Sequence, residues 1–297
     1  MKLKILSIIF IVTNIYGAPN LLFKSSFEDG VYLEKPDRKD STIWWQNIKG
    51  SDNNDFEWPI TLNDEKGEFQ MIINDQNITE YIQNSLVVVK GIDNNKSRVL
   101  HQKIMKKEHR WSQDPYVIHT NDKEQKRLYL RYSLKYPIDL AERLGKDGWL
   151  TFCQYKTATD YRLTYYIYTD KNKKLYWYVH EDNVVVDGAP YKEYWYQENY
   201  SQVKQGEWFD VEIYWNRSKN KKEGRVWLAI DGKVVIDYKG QTMLEEPINQ
   251  MMLFTNYAVA PIEQWVDNVE IWDDFPCGEG KSCHEEENQK IKEKENK

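Results

Sequence analysis

Arg225-Val226-Trp227-Leu228-Ala229-Ile230-Asp231-Gly232-Lys233-Val234-Val235-Ile236-Asp237-Tyr238 is the stretch on which the class of fold turns. Asp231-Gly232 is the strongest two-residue hairpin signal in the chain, because both residues accept the positive φ of a tight turn, and the runs on either side read as its strands. Working outward, Phe209-Asp210-Val211-Glu212-Ile213-Tyr214-Trp215 alternates polar and apolar residues. Residues 127–136 do the same, with Arg127, Tyr129, Arg131, Ser133 and Lys135 on one side and Leu128, Leu130, Tyr132 and Leu134 on the other, the period-two pattern of a half-buried strand. A final strand reads over 266–272. Helix signals are brief, over 139–144 before Gly145 and over 79–84. Many strands separated by polar turns, without alternating helices, predict an all-β, antiparallel two-sheet jelly-roll sandwich.

The ends of the chain set its compartment and its domain limits. Met1-Lys2-Leu3-Lys4, an apolar run over 5–15 and the small pair Gly17-Ala18 make residues 1–17 a signal peptide. The run is shorter than the ~20 apolar residues of a membrane span. A secreted or periplasmic protein without membrane association is therefore expected, with one domain over 18–276. Residues 277–297 are rich in Glu, Lys and Asn and read as a disordered, dispensable tail. The formal net charge is −6 with both signs interspersed, which argues against a nucleic-acid surface. A monomer is expected. Twelve Trp and 21 Tyr against 9 Phe mean that most aromatics carry a polar edge, which suits the flat apolar faces of sugar rings as well as ordinary strand building. Of three cysteines, Cys277 and Cys283 are close enough to close a small loop in an oxidising compartment, and Cys153 reads as a buried thiol.

The chemistry concentrates in the middle of the chain. In Trp149-Leu150-Thr151-Phe152-Cys153-Gln154-Tyr155-Lys156-Thr157, alternation places Gln154 and Lys156 on one face, with Leu150 and Phe152 earlier on that side. After a turn at Ala158-Thr159-Asp160, the next strand offers Arg162, Thr164, Tyr166 and Tyr168 on one face, and a third offers Tyr176, Tyr178 and His180. Each residue alone also reads as an ordinary solvent-facing side chain. Together they suit β-elimination on a uronic-acid polymer, which needs the C5 carboxylate neutralised, the C5 proton removed and the departing O4 protonated. Lys156, Tyr166 and His180 are the candidate catalytic residues, and Gln154, Arg162, Tyr168 and Tyr178 the candidate substrate-binding residues. No cofactor is required, and the expected partner is an acidic polysaccharide.

Several segments carry a family resemblance over about 21–276. They are Phe23-Lys24-Ser25-Ser26-Phe27-Glu28-Asp29-Gly30, Gln154-Tyr155-Lys156, the run from Gly206 through the Asp231-Gly232 hairpin, and Trp265-Val266-Asp267-Asn268-Val269-Glu270-Ile271-Trp272. The chain resembles the β-jelly-roll polysaccharide lyases, the concanavalin A-like group with heparin lyase, glucuronan lyase and alginate lyase relatives. The resemblance implies a Gln-x-His strand facing substrate, where this chain has Lys156 in place of the His. An Arg-x-Glu-Leu strand has at best a loose counterpart in Arg98 to Lys103, where Arg98 and His101 fall on opposite faces. Since first and last strands often pair in such sandwiches, Glu28, Asp29 and Asp267 could share a structural calcium ion. A non-catalytic, lectin-like carbohydrate-binding protein is the alternative reading. A retaining glycoside hydrolase using Asp210 and Glu212 is a third.

Overall fold

The computed structural model describes residues 18–73, 77–106, 112–120, 125–157, 162–186, 189–196, 203–220, 222–242 and 248–284, the side chains of 182–196 excepted. The expected signal peptide, the turn at 158–160 and the chain beyond 284 lie outside the described residues. In chain order the strands are β1 (Leu21–Ser25), β2 (Tyr32–Leu33), β3 (Asp37–Arg38), β4 (Ile43–Gln46), β5 (Ile48–Lys49), β6 (Thr61–Leu62), β7 (Glu65–Ile72), β8 (Ile82–Lys90), β9 (Lys96–Ile104) and β10 (Asp114–His119). They continue as β11 (Arg127–Lys135), β12 (Trp149–Thr157), β13 (Arg162–Thr169), β14 (Leu175–Val186), β15 (Ala189–Tyr196), β16 (Trp208–Asn216), β17 (Gly224–Ile230), β18 (Lys233–Gly240), β19 (Ile248–Ala258) and β20 (Glu263–Trp272). One short helix, α1 (Leu140–Leu144), lies where Gly145 ends it. Over 79–84 the chain does not form the expected helix: a 3-10 turn at Ile78–Glu80 gives way to β8, whose residues pair along β9.

Two antiparallel sheets make the sandwich. An eight-stranded sheet runs β18-β17-β16-β11-β20-β9-β8 with β1 also on β20, and a ten-stranded sheet runs β15-β14-β13-β12-β19-β10-β7-β4-β3 with β6 on β7. First and last strands do pair, Ser25 opposite Val269 and Lys24 opposite Glu270. The core between the sheets takes the inward side chains of both, among them Leu128, Leu130, Tyr132, Val211, Ile213 and Leu228 from one and Tyr155, Tyr165, Ile167 and Trp177 from the other. Among the described residues, no helix is long and apolar enough to cross a membrane.

Much of the tyrosine goes inside. Tyr116, Tyr129, Tyr132, Tyr136, Tyr155 and Tyr165 are fully buried, each removing roughly 150–250 Å² from water. Some of their polar edges are served locally: Tyr136 Oη donates to Gln264 Oε1 at 3.2 Å, and Tyr116 Oη accepts from the Ile60 N–H at 3.0 Å. Cys153 is a buried thiol that burial pushes up to about 12. Cys277 and Cys283 are joined as a disulfide.

Part of the outer face of the eight-stranded sheet is covered. Tyr129, Tyr214, Trp227 and Ala229 form a second apolar cluster with Phe275 and Cys283. The segment from Asp273 to His284 thus packs on the sheet as a strap, and the first eight residues of the expected tail belong to the domain. The strap also holds two carboxylates of β16, described below.

Candidate functional site

Strand register turns the three mid-chain strands into one chemical surface on the outer face of the ten-stranded sheet. Directly opposed residues in an antiparallel pair project to the same side. One rung therefore carries Arg162 of β13, Lys156 of β12, Gln250 of β19 and His119 of β10. The next carries His180 of β14, Thr164, Gln154 and Met252, continued by Val117 and by Glu68 of β7. A third carries Tyr178, Tyr166, Thr151 and Tyr257, and a fourth Tyr176, Tyr168 and Trp149. All seven sequence-predicted catalytic and substrate-binding residues stand on this face.

A β-bulge makes the arrangement work. Between Thr151 and Cys153 the register of β12 shifts against β13, and Leu150, Phe152, Cys153 and Tyr155 all join the core. The extra residue switches the parity of the strand, so Leu150 and Phe152 do not share a side with Gln154 and Lys156 as simple alternation gives. The apolar first half and the polar second half of one strand thereby face opposite ways.

The side chains on this face are ordered by one another. Gln154 Nε2 donates to Thr164 Oγ1 at 2.7 Å. The Tyr166 and Tyr178 rings stack at 5.3 Å with 21° between planes, and the His180 ring lies 6.4 Å from Tyr178 at 4°. Trp149 meets Tyr166 and Tyr257 edge-on, and Tyr168 packs 5.0 Å from Tyr176. The result is an aromatic tier beside a tier of cations and amides.

His119 is the functional candidate that sequence reasoning missed. It is half-buried at the end of a rung that begins with Arg162, and burial holds its imidazole below its usual range, against the opposing pull of Glu68 and Glu65. Gln70 Nε2 lies 2.5 Å from His119 Nε2, and the Trp45 ring is 6.3 Å away. Lys39 sits over Trp45 at 4.8 Å and pairs with Glu68 at 3.3 Å. The signal was present in Tyr116-Val117-Ile118-His119, whose period-two alternation puts Tyr116 and Ile118 inside and His119 out.

The other residues singled out in the sequence fall elsewhere. Arg98 and His101 are on β9 of the opposite sheet: Arg98 Nη1 donates to the carbonyls of Phe27, Glu28 and Val31 at 3.2, 2.9 and 2.8 Å, and His101 pairs with Glu263 and stacks on Trp265. Neither reaches the candidate face. Asp210 and Glu212 are not an open carboxylate pair, since Glu212 is fully buried and accepts from Tyr129 Oη, Ser282 Oγ and the Cys283 N–H. Asp210 accepts from Ser133 Oγ at 2.7 Å and lies 2.7 Å from His284 Nδ1.

Of the residues expected to share calcium, Glu28 and Asp267 come together while Asp29 stands apart. Glu28 and Asp267 both accept from Ser97 Oγ, at 3.0 and 2.8 Å, but Asp29 is exposed and a guanidinium already satisfies the carbonyls of the 27–31 turn. Among the described residues, no group of three or more His, Cys, Asp or Glu side chains is placed to hold a metal ion. Asp267 is instead pushed up to about 7 by burial, helped by the charges of Glu28 and Asp52.

No family model matches the sequence, and no curated protein matches it. Solved structures of similar course include an endo-β-1,4-glucuronan lyase from the fungus Trichoderma reesei, with 12% identity, a TM-score of 0.45, and coverage of 65% of this chain and 90% of that one. An alginate lyase shares 15% identity at a TM-score of 0.42, over 58% of this chain and 74% of its own. The binding domain of botulinum neurotoxin DC in complex with SialylT shares 9% identity at a TM-score of 0.40, over 77% of this chain and 46% of that one. At identities and TM-scores this low the likeness is one of general sandwich form, shared by lyases and binding domains alike, and the chemistry rests on the residues above.

Proposed function

We propose that the chain is an exported polysaccharide lyase that cleaves a uronate-containing polysaccharide by β-elimination. The observation that carries the reading is the register placing Arg162, Lys156, Gln154, Tyr166, His180 and His119 on one sheet face. In this reading Arg162, Lys156 and Gln154 hold the C5 carboxylate and stabilise the negative charge that grows on it. An imidazole accepts the C5 proton. The electron pair left behind forms the C4–C5 double bond as the C4–O4 bond breaks, and Tyr166 donates a proton to the departing O4. His180 and His119 each stand two strands from β12, on opposite sides, so a sugar seated over Gln154 and Lys156 is bracketed by both. His119 suits the accepting role because burial favours its neutral form.

Incubation with alginate, glucuronan and heparin-type polymers should produce the ultraviolet absorbance of an unsaturated uronate. Lys156→Ala should reduce that rate by about 10²–10³-fold, the usual loss for one charge-stabilising group. Silence across the panel would refute catalysis. A non-catalytic carbohydrate-binding role is the second reading, favoured by the Tyr166, Tyr178 and His180 ring stack, and it gives saturable binding without product.

A further inference from the structure

The opposite sheet carries a second row of cations. On its outer face, Arg127 of β11 stands opposite Asn216 of β16, Asn216 opposite Arg225 of β17, and Arg225 opposite Lys239 of β18. Three cations and an amide thus share one rung across four neighbouring strands, about 14 Å from end to end at the usual strand spacing of ~4.8 Å. The rung lines a cavity of about 730 Å³, into which Lys222 also faces.

The strap lays its own carboxylates on this row. Asp274 pairs with Arg127 at 2.6 Å, and Glu279 lies 3.1 Å from Arg225 Nη1 and 3.8 Å from Lys239. The two are held differently. Asp274 also accepts from the Phe275 N–H and meets Tyr214, whereas the Glu279 side chain is 80% exposed and its partners among the described residues are the two cations. Arg225 itself is nearly buried and fixed by Asp237 through Nε and Nη2 at 2.8 and 2.9 Å, so its remaining Nη1 is a pre-oriented donor. A surface pair such as Glu279 with Lys239 is worth little, and an incoming carboxylate can exchange with it.

We propose that this rung is a second glycan site that binds the carboxylates of an acidic polysaccharide, with Glu279 as an intramolecular competitor for the same donors. Carboxylate is the ligand chemistry because carboxylates already occupy the row, in the geometry that guanidinium groups favour. A nucleic acid fits less well: Tyr214 and Phe275 stack on each other at 3.9 Å and are both buried, leaving no ring face for a base. The site goes beyond the lyase reading, and binding here requires no catalysis.

The test uses the mature chain carrying Lys156→Ala and Arg162→Ala, which disables the candidate catalytic face, titrated calorimetrically with a size-defined oligoglucuronate. Binding should persist and weaken with added salt. Adding Lys222→Glu and Lys239→Glu, both at exposed positions, should weaken it at least tenfold, whereas Glu279→Gln should tighten it about threefold. A Glu279→Gln change that leaves affinity the same or lower, or charge reversal that leaves it within twofold, overturns the proposal. Equal affinity for a neutral cello-oligosaccharide does so as well. Lyase activity of the unmodified protein is scored separately, so loss of either reading leaves the other standing.

Discussion

Two carboxylates show how burial and hydrogen bonding pull a residue's titration in opposite directions. Burial pushes Asp114 up to about 7 from its ordinary 3.8, although Asn84 and Gln102 both donate to it. The folded protein then binds this proton more tightly than the unfolded chain, so stability falls as pH rises from about 4 to about 7. Asn84 Oδ1 is buried and has no partner among the described residues, and an amide at 114 can donate to it. Asp114→Asn should therefore melt a few degrees above wild type at about pH 8 and level with it near pH 4, and a lower melting temperature at pH 8 would refute this account. At Asp210 the balance is reversed: burial raises its pKa, but hydrogen bonds from His284 and Ser133 and the charge of Arg131 outweigh that and lower it. The hydrogen bond to Asp210 in turn raises His284 above its ordinary 6.5. The His284 contribution is complete below 6.5 and lost as pH rises through its folded value. The Asp210 contribution is present above 3.8 and lost as pH falls through its lowered one. His284→Ala should consequently lower the melting temperature most between about pH 4 and pH 6.5, with the difference shrinking toward pH 9.

At the level of elements, the strap and the bulge of β12 mark where the sequence was opaque. Charged and amide-rich composition makes 277–297 read as tail, yet Ser282 and the Cys283 N–H serve Glu212, a carboxylate 70 residues away that no local pattern pairs with them. A chain ending at Pro276 strips Ser282 and the Cys283 N–H from Glu212 and leaves Tyr129 as its remaining donor among the described residues. Relative to a chain ending at His284, it should lose on the order of 3 kcal/mol in urea unfolding, the usual cost of stripping partners from a buried charge. A loss below about 0.5 kcal/mol would mean that the strap is an ornament. β11 and β13 were legible from side-chain period, and the hairpin of β17 and β18 from its Asp231-Gly232 turn. So was membership of the candidate face for Arg162, Tyr166, Tyr168, Tyr178 and His180, each on a run of unbroken period, and for Gln154 and Lys156 relative to each other, since both lie past the bulge of β12. The bulge was not legible, since a single extra residue changes parity without any change in composition. His119 escaped for a different reason: it becomes a neighbour of Lys156 only through β19, a strand more than 90 residues further along the chain.

Across the whole molecule, the two outer faces present cationic rungs in opposite directions, and if both act as proposed a long polymer is held at one and processed at the other. Such two-point attachment raises the local concentration of substrate without any new contact at the reacting bond. Lys239→Glu should lower the activity on long polymer several-fold while leaving that on a tetrasaccharide unchanged, and an equal effect on both would argue against two-point attachment. The topology carries a further consequence. β20 lies between β11 and β9 and also receives β1, so the strand nearest the carboxyl end of the domain sits inside the eight-stranded sheet. Until the ribosome has delivered residue 272, the amino-terminal strand has no partner and two interior strands lack a shared neighbour. The eight-stranded sheet therefore cannot close before its last strand is made, so a chain exported as we propose keeps that sheet open until residue 272 has emerged.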